Sequence, residues 1–289
     1  MTIMKIRHQL PHYIALTRLN KHVGILLLLW PTLWALWLAS QGHPDPFITF
    51  IFIAGVVLMR SAGCVMNDFA DRHFDGHVKR TKHRPLAIKK VMPAEALILA
   101  GFLSMLAFAL VIFCNFLTIK LAFVGAFLAL IYPYMKRLTH LPQVGLGAAF
   151  AWGIPMAFAA ENNHVPLSAW FLFITGMVWP ILYDTMYALV DREDDVKIGV
   201  KSTAILFQGK ERRLISLLQV LFVTMLIIIG FIFHLSLIYD SGLIVVIALF
   251  IYQHVLIKDL AREKCFQAFL NNQWVGFIIF ISICLSNLK

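Results

Sequence analysis

Residues 47–75 read FITFIFIAGVVLMRSAGCVMNDFADRHFD, an apolar run that ends in a cluster of acids. The run from 47 to 66 is as long as the roughly 20 residues that an α-helix needs to cross a bilayer core of about 30 Å. It therefore predicts a membrane-spanning helix. The polar residues that follow, Asn67, Asp68, Asp71 and Asp75, are expected where this helix leaves the membrane. The segment predicts an acidic site at the membrane surface.

Apolar runs of similar length recur on both sides of this segment. We predict nine spans, at 23–39, 47–66, 95–113, 117–135, 141–160, 168–189, 213–233, 241–257 and 270–286. The composition agrees, because 60% of the residues are hydrophobic and only 14% are charged, whereas soluble globular proteins carry about 25% charged residues. The expected fold class is all-α, a polytopic membrane helical bundle of about nine transmembrane helices.

The chain has a formal net charge of +10, and its basic residues alternate between connections. Lys5, Arg7, Arg18 and Lys21 precede the first span, and further basic clusters follow the second, fourth, sixth and eighth spans. The connections 40–46, 161–166 and 234–241 contain no Lys or Arg. Because Lys and Arg accumulate in cytoplasmic loops, we expect the N-terminus and the basic loops to be cytoplasmic. The charge therefore indicates topology and argues against nucleic-acid binding.

A second acidic stretch, DREDD at 191–195, follows the sixth span. Its Asp191 and Asp195 follow Asp71 and Asp75 by 120 residues, and both stretches come after even-numbered spans. This offset indicates two pseudo-repeated four-helix units that face each other around one central cavity. Side chains four residues apart share one face of a helix, so each stretch is expected to present its acids together.

Carboxylates stacked in this way repel one another, and a cation must offset that cost near a bilayer. Magnesium uses one or two carboxylates, some water and substrate phosphates, so a metal-bound diphosphate fits both motifs. The predicted ligands of Mg²⁺ are Asn67, Asp71, Asp75, Asp191 and Asp195. The predicted diphosphate-binding cations are Arg72, Lys79, Arg84, Lys197 and Lys201, and Arg80 also lies close in sequence. Spacing alone leaves calcium binding and cation transport open.

A diphosphate at the membrane surface with its organic part in an apolar cavity describes a polyprenyl diphosphate. Ionisation of its allylic carbon–oxygen bond would let an electron-rich acceptor attack the carbocation. Tyr187, one turn before Asp191, is the aromatic ring that we expect near this cation. The alternative, a transporter, would place ionisable groups near the bilayer midplane. Asp184, inside the sixth span, is the acid that would fit a transporter. The other interpretation of Asp184 is that it is a partner of the active site.

Three stretches resemble the UbiA family of membrane prenyltransferases, whose members carry an NDxxDxxxD and a DxxxD motif. They are DRHFDGHVKRTKHRPLA at 71–87, YPYMKRLTHLPQ at 132–143 and YALVDREDDVKIGVKSTAILF at 187–207. Within that family they are similar to members that prenylate 4-hydroxybenzoate in ubiquinone biosynthesis. The resemblance covers essentially the whole chain, and implies one integral-membrane domain over 1–289 with a central cavity open toward the lipid.

The resemblance implies Mg²⁺-dependent transfer of a polyprenyl group to C-3 of 4-hydroxybenzoate, with release of pyrophosphate. We hypothesise that Arg137 binds the acceptor's carboxylate, because a guanidinium holds a carboxylate with two hydrogen bonds. Arg137 is equally explained as a positive-inside anchor beside Lys136. We also hypothesise that Asp191 orients or deprotonates the phenol. Asp68 matches the motif but points away from the shared face.

Other acceptors stay open, namely a naphthoate, a haem, homogentisate or chlorophyllide, because the metal site does not distinguish them. The preferred prenyl length is not encoded in any pattern that we recognise. No mitochondrial transit peptide is apparent, since the basic N-terminal segment is not rich in serine. We therefore expect a bacterial inner membrane, with the active site on its cytoplasmic side and the bilayer, rather than another protein, as the partner.

Overall fold

The computed structural model describes the backbone of residues 3–288 and the side chains of 9–288. The basic side chains of Lys5 and Arg7 lie outside the described residues. Within them the fold is all-helical. The helices are α1 (Ile3–Thr17), α2 (His22–Ala39), α3 (Pro46–Asp71), α4 (Pro93–Val111), α5 (Phe116–Leu138), α6 (Pro142–Ala151), α7 (Gly153–Asn162), α8 (Leu167–Ile198), α9 (Thr203–Leu206), α10 (Glu211–Ile232), α11 (Leu237–Leu256) and α12 (Arg262–Ser286).

Nine spans are present in the described part of the chain, and this confirms the predicted fold class. By length and composition, the spans are α2, α3, α4, α5, α6 with α7, α8, α10, α11 and α12. The fifth span is interrupted at Trp152, between α6 and α7, because Pro155 has no N–H and its ring clashes with the carbonyl of Ala151.

Three helices extend well beyond the membrane boundaries expected from hydropathy. One is α12, which begins at Arg262 rather than 270, and the other two extend at the ends that carry the acidic motifs. α3 continues to Asp71 rather than 66, and α8 continues to Ile198 rather than 189. Hydropathy underestimates both helices because their last turns are polar. These turns nevertheless stay ordered, because their acids form ion pairs with basic residues from neighbouring segments. The extension of α8 carries the whole second motif, whereas that of α3 carries the first motif only as far as Asp71.

The amide side chains that dilute the last two spans form hydrogen bonds with each other. Gln219 on α10 donates to Gln253 on α11 at 3.2 Å, and Gln253 donates to Asn271 on α12 at 2.9 Å. Trp179 on α8 donates to Asn272 at 3.2 Å. Buried polar groups in a membrane need such partners because the bilayer core supplies no water. These bonds join α8, α10, α11 and α12 into one half of the bundle.

The first and last spans close the bundle into a ring. The indole of Trp34 on α2 donates to the carbonyl of Gly276 on α12 at 3.1 Å, and its ring lies 5.2 Å from that of Trp179. A Cβ on Gly276 would come within 2.3 Å of Trp30 and 2.5 Å of Trp179. Only glycine at position 276 allows α12 to approach these two tryptophans so closely.

Candidate active site

One cavity of about 1310 Å³ runs through the centre of the bundle. The end of the cavity near the last turns of α3 and α8 is lined by the acids of both motifs and by basic residues, including Asp71, Asp191 and Arg80. Its remaining walls are largely apolar and reach Phe52 on α3 and Val111 on α4, near the opposite ends of those helices. The cavity therefore joins a polar mouth to an apolar interior.

The first motif does not lie on a single helix face, so that prediction was wrong. α3 ends at Asp71, and the chain turns there, with the N–H of Phe74 donating to the carbonyl of Asp71 at 2.7 Å. Asp75 begins a short 3-10 turn at Asp75–His77, and the hydroxyl of Thr81 donates to its carbonyl at 2.9 Å. Asp75 still lines the cavity, because the turn rather than a helical repeat places it there.

Arginines neutralise two acids of the first motif. Asp68 is fully buried and lies 2.5 Å from Arg18 and 2.9 Å from Arg84, and Arg84 also pairs with Asp75 at 3.0 Å. Burial raises the pKa of Asp75 despite the opposing effect of Arg84. Burial opposes the charge of Arg18, but Asp68 outweighs it and holds the pKa of Arg18 above its usual value. Asp68 therefore positions arginines at the mouth.

The second motif stays within α8, as predicted, and contacts the loop after the first. Arg80 donates to both carboxylate oxygens of Asp191 at 2.6–3.1 Å, and its guanidinium lies 4.6 Å from the centre of the Tyr187 ring. Asp194 points elsewhere, toward Arg262 at 3.2 Å and the backbone N–H of Lys79 at 3.4 Å. Residues 79 and 80 thus join the two motifs across the mouth.

Asp71 is the acid best suited to an additional ligand. Lys136 on α5 donates to its Oδ2, while its buried Oδ1 has no hydrogen-bond partner among the described residues. Asn67, Asp75, Asp191 and Asp195 line the same cavity. Among the described residues, no three of the acids, histidines or cysteines cluster closely enough to bind a metal ion alone. This donor set fits Mg²⁺, which takes one or two carboxylates and fills its shell with water and phosphate.

The structure brings three of the predicted diphosphate-binding cations to the cavity and leaves two outside its lining. Lys79, Arg84 and Lys201 line it. Arg72 instead lies over the Phe69 ring, 4.4 Å from its centre, and Lys197 lines a separate surface pocket.

Arg137 is exposed, donates to the carbonyl of Ala70, and lies outside the residues that line the cavity. Its predicted acceptor role is untested. Sequence reasoning missed Lys136, its neighbour, which does line the cavity. It also assigned Arg18 and Lys21 to topology alone, although both line the mouth. Burial, together with the nearby cations Arg18, Arg80 and Arg84, lowers the pKa of Lys21, as expected at a mouth built to receive an anion.

A smaller polar group lies deeper in the cavity. Arg60 on α3, seven residues before Asn67, donates to the carbonyl of Gly24 at 3.0 Å and to the sulfur of Cys64 at 2.5 Å. Asp184 on α8, seven residues before Asp191, lines the cavity too. At about 1.5 Å per residue, each lies about 10 Å below its motif.

Comparisons with known proteins agree with this arrangement. The chain matches the UbiA prenyltransferase family over residues 28–282. A protein of Coxiella burnetii named 4-hydroxybenzoate octaprenyltransferase is 53% identical over 285 residues, which cover 99% of each chain. One of the same name from Hahella chejuensis is 56% identical over 281 residues, covering 97% of this chain and 94% of the relative.

Solved structures share the fold. A UbiA homolog from Aeropyrum pernix K1, without ligand, has a TM-score of 0.79 at 24% identity, covering 91% of this chain and 97% of that one. A UbiA homolog from Archaeoglobus fulgidus bound to GPP and Mg²⁺ has a TM-score of 0.72 at 14% identity, covering 95% and 99%.

Proposed function

Because this chain belongs to the UbiA prenyltransferase family, we propose that it transfers a polyprenyl group from polyprenyl diphosphate to C-3 of 4-hydroxybenzoate. The products are 3-polyprenyl-4-hydroxybenzoate, an intermediate of ubiquinone biosynthesis, and pyrophosphate. The single cavity that joins an acid-and-cation mouth to an apolar interior carries this proposal, since it suits a substrate with a diphosphate head and a hydrocarbon tail. The names of the relatives support 4-hydroxybenzoate as acceptor and an octaprenyl donor.

We propose Mg²⁺ as the cofactor. The residues that would hold it are Asn67, Asp71, Asp75, Asp191 and Asp195, and the unpartnered Oδ1 of Asp71 supports this. When bound, the metal neutralises charge on the diphosphate and helps the allylic carbon–oxygen bond to break.

The cations at the mouth have two roles in this proposal. Without ligand, Lys136, Arg80 and Arg84 neutralise Asp71, Asp191 and Asp75. If metal engaged these acids, the same cations would be free to turn toward the diphosphate oxygens, as would Lys79 and Lys201. Charge-assisted hydrogen bonds to the departing pyrophosphate then stabilise the transition state. The predicted contributions of Arg72 and Lys197 need a movement of both side chains.

The reacting carbon would lie just below the diphosphate, beside Tyr187. The Tyr187 ring packs on Phe269 at 4.7 Å and lines the cavity, where its face can stabilise an allylic cation. The apolar walls exclude water, which would otherwise capture that cation. A phenol held on the far side of the carbon then attacks through the ring position next to its hydroxyl.

Arg60 is better placed than Arg137 to bind the carboxylate of the acceptor. It lines the cavity inside the span, and none of the ion pairs found among the described side chains involves it. Arg137 lies on the exposed end of α5. A 4-hydroxybenzoate carboxylate at Arg60 would direct the hydroxyl across the cavity toward α8.

The protein is an integral membrane protein. We propose a bacterial inner membrane with the mouth on the cytoplasmic side. The loop charges support this orientation, because the mouth lies among the Lys- and Arg-rich connections.

The direct test uses the purified protein in lipid nanodiscs with Mg²⁺ and octaprenyl diphosphate. A panel of 4-hydroxybenzoate, 1,4-dihydroxy-2-naphthoate and homogentisate is offered, and products are identified by mass. We expect octaprenylated 4-hydroxybenzoate and stoichiometric pyrophosphate, both abolished in Asp71→Asn with Asp191→Asn. Pyrophosphate release with a different prenylated acceptor would refute the acceptor and keep the family chemistry.

A further inference from the structure

Asp184 is an acid on the cavity wall that belongs to neither motif. It lies three residues before Tyr187 and seven before Asp191, so all three side chains share one face of α8. Asp184 is about 10 Å deeper than Asp191 and lines the cavity inside a membrane span. A carboxyl group at such a depth is costly and marks a functional site unless a structural partner explains it.

Asp184 forms no ion pair among the described side chains, although Arg80 and Lys136 lie near enough to interact with its charge. Every ion pair found among side chains 9–288 involves some other acid, including Asp191, Glu193 and Asp194 on the same helix. The uncharged polar side chain near Asp184 is that of Gln143 on α6, which also lines the cavity. The amide oxygen of Gln143 accepts from the backbone N–H of Thr203 at 3.3 Å, so its NH₂ group remains available as a donor. Asp184 therefore has an amide donor nearby and no ion-pair partner.

The neighbouring residue provides an independent sign of a missing ligand. Tyr183 is 2% exposed and lines the cavity, yet its hydroxyl has no hydrogen-bond partner within the described part of the chain. Its ring is fixed edge-on against Trp179 at 5.3 Å and packs on Phe269 at 5.9 Å. Buried hydroxyls are normally bonded, so this one points to a polar group that the bound acceptor supplies.

We propose that Tyr183 and Asp184 form the subsite for the acceptor's phenolic hydroxyl, and that Asp184 is the catalytic base that receives its proton. This inference rests on the proposed function, because it assumes a phenolic acceptor. Arg60 lies at a similar depth on the facing helix and holds the carboxylate at the other end of the ring. The role of base then falls to Asp184 rather than to Asp191, which pairs with Arg80 in this structure and is a proposed magnesium ligand when substrate is bound.

The chemistry balances with groups that the reaction supplies. The ring carbon next to the hydroxyl forms a bond to the allylic carbon, and the carbon–oxygen bond to diphosphate breaks with its electron pair leaving on pyrophosphate. The hydroxyl proton passes to Asp184, so the ring becomes a neutral dienone. The ring C–H proton is then lost to pyrophosphate, and Asp184 returns its proton to the oxygen. The aromatic ring and the carboxylate are both restored.

The test compares Asp184→Asn, Asp184→Glu and Tyr183→Phe with the wild type in nanodiscs containing Mg²⁺, octaprenyl diphosphate and 4-hydroxybenzoate. General base catalysis typically contributes 10²–10⁴-fold, so we expect kcat of Asp184→Asn to fall by about 100-fold or more. Asp184→Glu should recover part of that loss. Tyr183→Phe should raise KM for 4-hydroxybenzoate and leave KM for the donor unchanged. Asp259→Asn, on an exposed acid between α11 and α12, is the matched control.

A second measurement separates this role from a structural one. Benzoate lacks the hydroxyl, so its inhibition constant should be the same in Asp184→Asn as in the wild type. The KM for 4-hydroxybenzoate should rise in this variant toward the inhibition constant of benzoate. The thermal shift on adding Mg²⁺ and pyrophosphate should match the wild type, which shows that the mouth is intact. A kcat of Asp184→Asn within threefold of wild type overturns the inference. A wild type that fails to prenylate 4-hydroxybenzoate refutes the proposed function instead.

Discussion

Lys136→Met should change metal binding and turnover in opposite directions. Lys136 donates to one oxygen of Asp71, and its side chain is 24% exposed. Methionine keeps the length of the side chain and removes its charge. A hydrogen bond to a charged group contributes about 1.5–3 kcal/mol, and about 1.4 kcal/mol corresponds to a tenfold change. Without this competitor, the affinity of the protein for Mg²⁺ alone should rise about 10- to 100-fold.

Turnover should fall in the same variant. With the donor bound, Lys136 is one of the cations that we expect at the departing pyrophosphate, and loss of one such donor costs about 10²–10³ in kcat. Tighter metal binding with slower chemistry is difficult to obtain from misfolding, which weakens both. The pair of measurements therefore tests the exchange of partners at Asp71.

The assay titrates the protein in nanodiscs with Mn²⁺, followed by electron paramagnetic resonance, with Mg²⁺ as competitor. Pyrophosphate release at saturating substrates gives kcat. Lys197→Met removes a nearby cation outside the cavity lining and is the matched control. An Mg²⁺ affinity that stays the same or weakens in Lys136→Met would refute the view that this lysine occupies a magnesium ligand.

Three further outcomes follow from the contacts described above. Arg60→Ala should raise KM for 4-hydroxybenzoate at least tenfold in steady-state kinetics, while Arg137→Ala leaves it within twofold; the reverse result would return the carboxylate to Arg137. Mg²⁺ with pyrophosphate should raise Tm by several degrees, because ligand at 100 times Kd adds about 2.7 kcal/mol to stability. If EDTA added to that mixture left the Tm unchanged, the result would contradict a bound metal. Asn272→Leu leaves the Trp179 indole N–H unbonded and should cost about 1–3 kcal/mol in reversible unfolding, with the adjacent Gln273→Leu as reference; equal losses would contradict it.

The spans and the two motifs could be predicted from the sequence because both depend on local patterns. A run of about 20 apolar residues specifies a membrane helix wherever it packs, and the 120-residue offset of Asp71 and Asp191 indicated that the motifs belong together. The helix α1 and the true lengths of α3, α8 and α12 were missed. Polar turns leave no hydropathy signal, and their order comes from distant ion pairs.

The site was only partly predictable, for a related reason. Helical spacing placed Asp191 and Tyr187 correctly, but it failed for Asp75, since the chain leaves the helix after Asp71. Lys136 could not be distinguished from Arg137 by sequence, because adjacent residues on a helix point about 100° apart and only packing decides which faces inward. Arg18 contacts Asp68 across 50 residues, a distance that no local pattern encodes.

The contact between α2 and α12 at Gly276 has a consequence for how the protein is made. α12 leaves the ribosome after the other helices of the described residues, and it supplies part of the cavity wall through Phe266, Phe269 and Leu270. Until α12 inserts and Trp34 bonds to Gly276, the nascent chain presents an open trough to the surrounding lipid. Catalytic competence therefore requires that α12 has been synthesised and inserted, and a ribosome stalled shortly before Gly276 would yield an inserted but inactive protein.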